Sequence, residues 1–263
     1  MLLVNITKYL DKKFNPKKAS DWDNVGFQIF NKKALDANFN VNKVLICLDL
    51  TNDCLEYALK NNVNLIISRH PFIFAELKQE KQNPIKKEMI KKLTKNNIVV
   101  FSIHTNYDAS SNQNLNEIIN KEIEIKNYKK YGYENESNIF YLKKEIKIED
   151  LIQSLAKIFN SESVRFNSNI DLNSKTNQIY ITTGSGASTM VYNSLKNCVF
   201  ITGEVKWNEW IYANDNNVCL IELGHYMENY FVDDIKDKLT NKFNDLEILT
   251  YDINNQFITR KKV

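Results

Sequence analysis

Short apolar runs alternate with segments of helical periodicity along this chain, and the alternation occurs twice. In the first half, Val44 to Leu50 is apolar except for Asp49 and reads as a buried strand. A helix is expected around Asp53 to Asn61, with Leu55, Ala58 and Leu59 at helical spacing and Asn52 or Asp53 as its N-cap. Asn64 to Ile67 predicts a second strand, followed by a turn at His70-Pro71. Pro84 opens another helix over Ile85 to Lys95, with Ile85, Met89, Ile90 and Leu93 on one face. Ile98 to Ile103 is the third strand and ends at His104. This order of strand and helix implies a mostly parallel sheet with helices on its faces. A helix near Val4 to Phe14 is expected to pack on that sheet.

The second half repeats the pattern. Gln178 to Thr183 predicts a strand ending in Gly184-Ser185-Gly186-Ala187, and Cys198 to Thr202 one ending in Gly203-Glu204. A helix over Glu209 to Asn214 leads to the run Val218 to Leu223, which ends in Gly224-His225. Between the halves, Ser137 to Lys143 reads as a strand, Ile148 to Phe159 as an amphipathic helix, and Phe166 as part of a further strand. The polar, tyrosine-rich stretch Asn127 to Asn135 is taken as the boundary. The fold class expected is α/β, with two similar α/β lobes built on mostly parallel sheets. The lobes are residues 1–126 and 127–263, with a return of the C-terminal segment to the first lobe left open.

Composition changes this picture little. A chain of 263 residues has ample length for one or two packed domains. Its 43% hydrophobic and 25% charged residues place it among ordinary globular proteins. A net charge of +3 is too small to argue for nucleic acid. Cys47, Cys54, Cys198 and Cys219 form no C-x-x-C pair, and Cys47 and Cys219 fall inside apolar runs, which predicts reduced thiols and a cytoplasmic protein. The N-terminal stretch has no long apolar run, so neither a signal peptide nor a membrane span is expected.

The candidate chemistry lies at the strand ends. All three histidines, His70, His104 and His225, directly follow an apolar strand run. In open α/β sheets the carboxyl ends of the strands form the crevice where ligands bind. Asp108 lies four residues after His104 and Glu228 three after His225, so imidazoles and oxygen donors gather as a transition-metal site requires. For any one histidine, a hydrogen bond to a backbone carbonyl at an ordinary strand end is the better explanation; the three together bring the metal reading level with it. Glycines at Gly203 and Gly224 let the backbone turn so that the next side chain faces the crevice.

Taken in order, Asp21-Trp22-Asp23-Asn24-Val25-Gly26, Asp49, His70-Pro71-Phe72-Ile73-Phe74 and His104-Thr105-Asn106-Tyr107-Asp108 resemble the GTP cyclohydrolase 1 type 2 homologue family, also called the Nif-three-like dinuclear-metal proteins. So do Gly184-Ser185-Gly186, Thr202-Gly203-Glu204 and Gly224-His225-Tyr226 in the second half. The resemblance implies a two-lobed α/β subunit, a ring-like homohexamer, and a pair of divalent metals held by two adjacent histidines, an aspartate, a third histidine and a glutamate. This chain departs at two of those places. The family has His-His-Pro where Arg69-His70-Pro71 stands, and the family glutamate falls at Asn229, one place after Glu228. His70, Asp108 and His225 therefore carry over as metal ligands, with Glu228 as a substitute if the turn shifts by one residue.

Arginine is always protonated and cannot ligate, so at most one divalent ion (Zn, Fe or Mn) is expected per subunit. With a metal retained, the implied chemistry is hydrolysis of a nucleotide-like substrate by a metal-bound water. His104 is then a general acid/base group, Glu204 orients water or caps a helix, and Arg69 binds a substrate phosphate. No G-x-x-x-x-G-K-[ST] cradle occurs. The alternative is a catalytically inactive, ring-shaped scaffold or ligand-binding protein. The aromatic residues Phe72, Phe74, Tyr107, Tyr226, Tyr230 and Phe231 beside the strand-end motifs add weak support for self-assembly, since closed rings bury such patches.

Overall fold

The strands, in chain order, are β1 (Gly26–Ile29), β2 (Lys43–Cys47), β3 (Leu65–Ser68), β4 (Val99–Ser102), β5 (Ile125–Tyr131), β6 (Ser137–Lys147), β7 (Arg165–Phe166), β8 (Lys175–Thr182), β9 (Val199–Thr202), β10 (Cys219–Glu222) and β11 (Glu247–Tyr251). They come from a computed structural model that describes residues 1–30, 38–110, 113–253 and 256–258. The chain forms two units, Met1–Ser110 with Phe231–Asn254, and Ser111–Tyr230 with Asn255–Val263. The division falls at Ser110, ahead of position 127, because the helix Gln113–Ile119 and strand β5 belong to the second unit.

In the first unit the sheet order is β1-β4-β3-β2-β11. β11, β2, β3 and β4 run parallel, and β1 closes the edge antiparallel to β4. The three central strands are buried along nearly their whole length, which is why they read as unbroken apolar runs. The helix Asn52–Lys60 begins at Thr51, whose Oγ1 accepts from the Cys54 amide at 3.2 Å; the cap is this threonine and not Asn52 or Asp53. The helix Pro84–Lys95 is capped by Asn83, which accepts from the Ile85 and Lys86 amides, with Pro84 at its first position. Leu55, Ala58, Met89, Ile90 and Leu93 from these helices join Leu45, Ile66 and Val100 in one apolar cluster. The helix Leu3–Lys13 buries Leu3, Ile6 and Leu10, and its Tyr9 donates to the Lys238 carbonyl at 3.2 Å.

In the second unit the order is β5-β6-β8-β9-β10-β7. Only β8, β9 and β10 are parallel; β5, β6 and β7 pair antiparallel, so this sheet is mixed rather than mostly parallel. The stretch expected to be a boundary, Asn127 to Asn135, holds most of β5 and the turn into β6. Its polarity reflects an edge strand whose side chains after Ile125 are mostly exposed or half-buried. The strongly amphipathic helix Ile148–Ile158 packs Leu151, Ile152 and Leu155 against Phe140, Ile179, Ile181 and Ile201. Burying each such side chain contributes about 1.5–3 kcal/mol.

Of the six aromatic residues beside the motifs, Tyr226 and Tyr230 are half-buried. Phe72, Tyr107 and Phe231 are buried, whereas Phe74 is 56% exposed. All four cysteines are free thiols, and burial pushes Cys198 up to about 11 and Cys219 up to about 12, which keeps them unreactive. Among the described residues no helix is long and apolar enough to cross a membrane.

Candidate functional site

In the first unit the site is built on the turns that follow β2, β3 and β4. The ladder continues past β3: the Arg69 amide donates to the Cys47 carbonyl and the His70 amide to the Leu48 carbonyl, both at 3.0 Å. Ser68 Oγ donates to the His70 carbonyl at 2.8 Å, and Pro71 then ends the pairing. His70 Nδ1 lies 2.8 Å from Asp49 Oδ1, and its ring stacks edge-on to His104 with centroids 5.4 Å apart. His104 Nδ1 lies 3.0 Å from Asp23 Oδ1, while Asp23 Oδ2 accepts from the amide and hydroxyl of Thr105. Burial would raise the Asp23 carboxyl, but hydrogen bonds from His104 and Thr105 outweigh it and hold the group below its ordinary value.

The acidic motif before the first strand therefore has a defined place. Asp23 orients His104, and Asn24 Nδ2 donates to the Ile73 carbonyl at 2.6 Å, joining the motif to the turn after His70. Trp22 is 58% exposed and packs beside Phe74 and His104.

Arg69 and Asp108 take each other as partners. Arg69 is 1% exposed, and its Nη2 lies 2.9 and 2.8 Å from the two Asp108 carboxylate oxygens. Its Nη1 donates to the His104 carbonyl at 2.8 Å, and the guanidinium lies 5.2 Å from the Tyr107 ring and 5.9 Å from the Phe231 ring. Two expectations change as a result. Arg69 presents no surface to a substrate phosphate, and Asp108 gives both oxygens to a guanidinium in place of a metal.

In the second unit three turns meet at the carboxyl ends of β8, β9 and β10. The Gly203 and Glu204 amides both donate to the Gly184 carbonyl, at 2.8 and 3.0 Å. Gly224 holds φ 88° and ψ 150°, a conformation open essentially to glycine alone. It starts the 3-10 helix His225–Asn229. With about three residues per turn, residues i and i+3 lie one above the other. That geometry selects Glu228 over Asn229: Glu228 Oε2 lies 3.2 Å from His225 Nε2, while Asn229 Nδ2 donates to the Tyr226 hydroxyl. Glu204 Oε1 lies 3.2 Å from His225 Nδ1. Glu228 is 4% exposed, and its carboxylate fills the room that Gly184 leaves; a Cβ there would stand 2.6 Å from Oε1.

Each of the three imidazoles thus meets a carboxylate at Nδ1: Asp49, Asp23 and Glu204. A carboxylate only accepts, so Nδ1 carries a proton in each, and Nε2 is the basic nitrogen of His70 and His104; Nε2 of His225 faces the Glu228 carboxylate as well. Metal-ligating histidines are oriented in this way. In the second unit, His225 and the buried Glu228 carboxylate beside its Nε2 are groups that could hold a divalent ion. Arg69 offers no lone pair to an ion, and both Asp108 oxygens face its guanidinium. Sequence reasoning overlooked Asp23, Asp49 and Gly184 as parts of the site; the acidic motif, the strand-end aspartate and the double glycine were their signals.

A cleft of about 630 Å³ opens in the second unit beside these turns, lined by Arg165, Ser185, Glu204, Lys206, Glu222 and His225, among others. Glu222 pairs with Arg165 at 2.5 Å, yet burial keeps its carboxyl above the ordinary value.

The chain is similar to known proteins over nearly its whole length. A protein named GTP cyclohydrolase 1 type 2 homolog in Mycoplasmopsis pulmonis is 30% identical over 90% of this chain and 93% of its own. One of the same name in Ureaplasma parvum serovar 3 is 29% identical over 90% and 88%. The crystal structure of the Staphylococcus aureus hypothetical protein SA1388 superposes with a TM-score of 0.79 at 25% identity, covering 99% of both chains. The sequence model of the Duf34/NIF3 (NGG1p interacting factor 3) family matches residues 1–256, and this chain belongs to that family.

Proposed function

We propose that this protein is a metal-dependent hydrolase of a nucleotide-like small molecule, working with a single divalent ion. The observation that carries the reading is the pairing of each imidazole with a carboxylate at Nδ1, together with the buried Glu228 at His225 Nε2. The donors are His225 and the buried Glu228, both on the second unit. The ion, when bound, would supply a water of lowered pKa as nucleophile. Asp49 and Glu204 fix the tautomer and ring direction of His70 and His225. His104, held by Asp23, carries a proton-accepting Nε2 and acts as general base or acid. The second-unit cleft has the volume of a small-molecule site, and Arg165 and Lys206 in its wall supply cations for a phosphate.

Metal analysis after purification without chelator tests this reading. We expect close to one divalent ion per chain, and His225→Ala to lose it. Glu204→Gln is expected to weaken metal affinity by about 10–100-fold while the fold is kept. A chain that binds no divalent ion, even at millimolar concentration, would leave the second reading: a catalytically inactive scaffold or ligand-binding protein. The Arg69–Asp108 pair favours that alternative, since it removes donors from the centre.

We also propose a ring-like homohexamer. Light scattering at micromolar concentration should give about six times the chain mass, and a monomeric mass would refute it.

A further inference from the structure

A buried guanidinium needs a reason. Arg69 is among the largest fully buried side chains of the described residues, and taking a charge out of water costs several kcal/mol unless it is well paired. Its surroundings are those of a bound cation. Two oxygens come from Asp108, a third from the His104 carbonyl, and two aromatic faces, Tyr107 and Phe231, turn their electron-rich sides to it. These contacts tie the turn after β3 to the turn after β4. Tyr107 is anchored in turn by its hydroxyl, which donates to Asp234 at 2.8 Å, and Asp234 also pairs with Lys238.

We propose that the Arg69 guanidinium is a resident cation that takes the place of one metal ion in this chain. It neutralises Asp108 and holds the two strand-end turns together without metal. A metal ion in that position would make the local structure depend on metal supply and be lost to chelators. A guanidinium stays charged at every physiological pH and cannot be extracted. The turn that carries His104, and the orientation of Arg69 and His70, are therefore independent of metal whether or not the protein is a hydrolase.

Hydrogen exchange on the unaltered full-length protein tests this without a substitution. Amides at residues 69–70 and 103–109 should be equally protected in metal-loaded protein and after exhaustive EDTA treatment. Loss of protection there in EDTA overturns the proposal, because a metal rather than Arg69 would then be holding the turns. Arg69→Met supplies the converse. With Asp108 deprived of its cation, Co²⁺ at about a hundred times its dissociation constant should raise the thermal midpoint by roughly 5–10 °C above the response of the unaltered protein. Asp108→Asn should leave the metal load unchanged. A fall in load in that variant would make Asp108 a metal ligand and overturn the assignment, even if Arg69→Met does not fold.

Discussion

Asp108→Ala is expected to lower the free energy of unfolding by about 3–5 kcal/mol. The substitution removes both oxygens that face the Arg69 guanidinium and leaves a buried charge that cannot discharge itself by losing a proton. The His104 carbonyl and the faces of Tyr107 and Phe231 remain, but none of them carries a negative charge. The cost thus comes mainly from the orphaned cation, not from the lost contact. Arg69→Met combined with Asp108→Leu should recover most of the stability, since an apolar pair of similar volume is often neutral or better in such a place. Equilibrium urea denaturation of the single and double variants decides the matter. A single-variant loss below about 1 kcal/mol, or no recovery in the double, would mean that the pair does not hold this region.

Gly203→Ala should disturb the second unit's site more than a single added methyl suggests. The new Cβ would stand 2.7 Å from the Gly184 carbonyl oxygen, 3.1 Å from the Gly184 Cα and 3.1 Å from the Gly224 carbonyl oxygen. All three are backbone atoms of neighbouring strand-end turns, so no side-chain rotation relieves the clash. Overpacking of this kind costs about 1–3 kcal/mol. The turns must spread, moving Glu204 away from His225 and Gly184 away from Glu228, so metal affinity should fall by at least about tenfold. Ser185→Ala, in the neighbouring Gly184-Ser185-Gly186 turn, serves as a control that adds no bulk. Isothermal titration with Zn²⁺ and a thermal melt would check both effects; an alanine variant with unchanged affinity would show that these turns are not tightly coupled.

The elements legible in the sequence are those whose burial is uniform. β2, β3, β4 and β9 are covered on both faces, and their apolar runs announced them to within one to three residues. The ends of several helices carry a further signal, not used in reading the sequence: asparagine in place of the scarce glycine. Asn62, Asn97, Asn160 and Asn217 all take positive φ just beyond a helix. β5 was hidden because an edge strand with mostly exposed side chains carries no apolar signal. At the helix over Asn52–Lys60, three capping residues stand in a row, and choosing Thr51 places Asp53 in the first turn, where its charge suits the helix dipole.

The site was legible as a set of strand-end residues but not as a set of partnerships. His70, His104 and His225 were found by position, while the Arg69–Asp108 pair joins residues 39 apart in sequence and depends on β3 and β4 being neighbours. The choice between Glu228 and Asn229 depended on whether the turn winds with three residues or more, which spacing alone does not decide.

β11 gives the first unit a particular order of birth. Its sheet takes one edge strand, Glu247–Tyr251, from beyond all the strands of the second unit, pairing residue by residue with β2, Lys43–Cys47. A nascent polypeptide emerging from the ribosome must release the whole second unit's sheet before that edge is covered, whereas the strands of the second unit are contiguous and are made in one stretch. During that interval β2 exposes a row of unpaired backbone groups, the kind of template that invites pairing with another chain. Lys43, at the start of β2, and Glu247, its partner on β11, form an ion pair at 2.9 Å that marks the register of the late-arriving strand. Truncation before residue 247 should therefore produce insoluble protein rather than a smaller folded one.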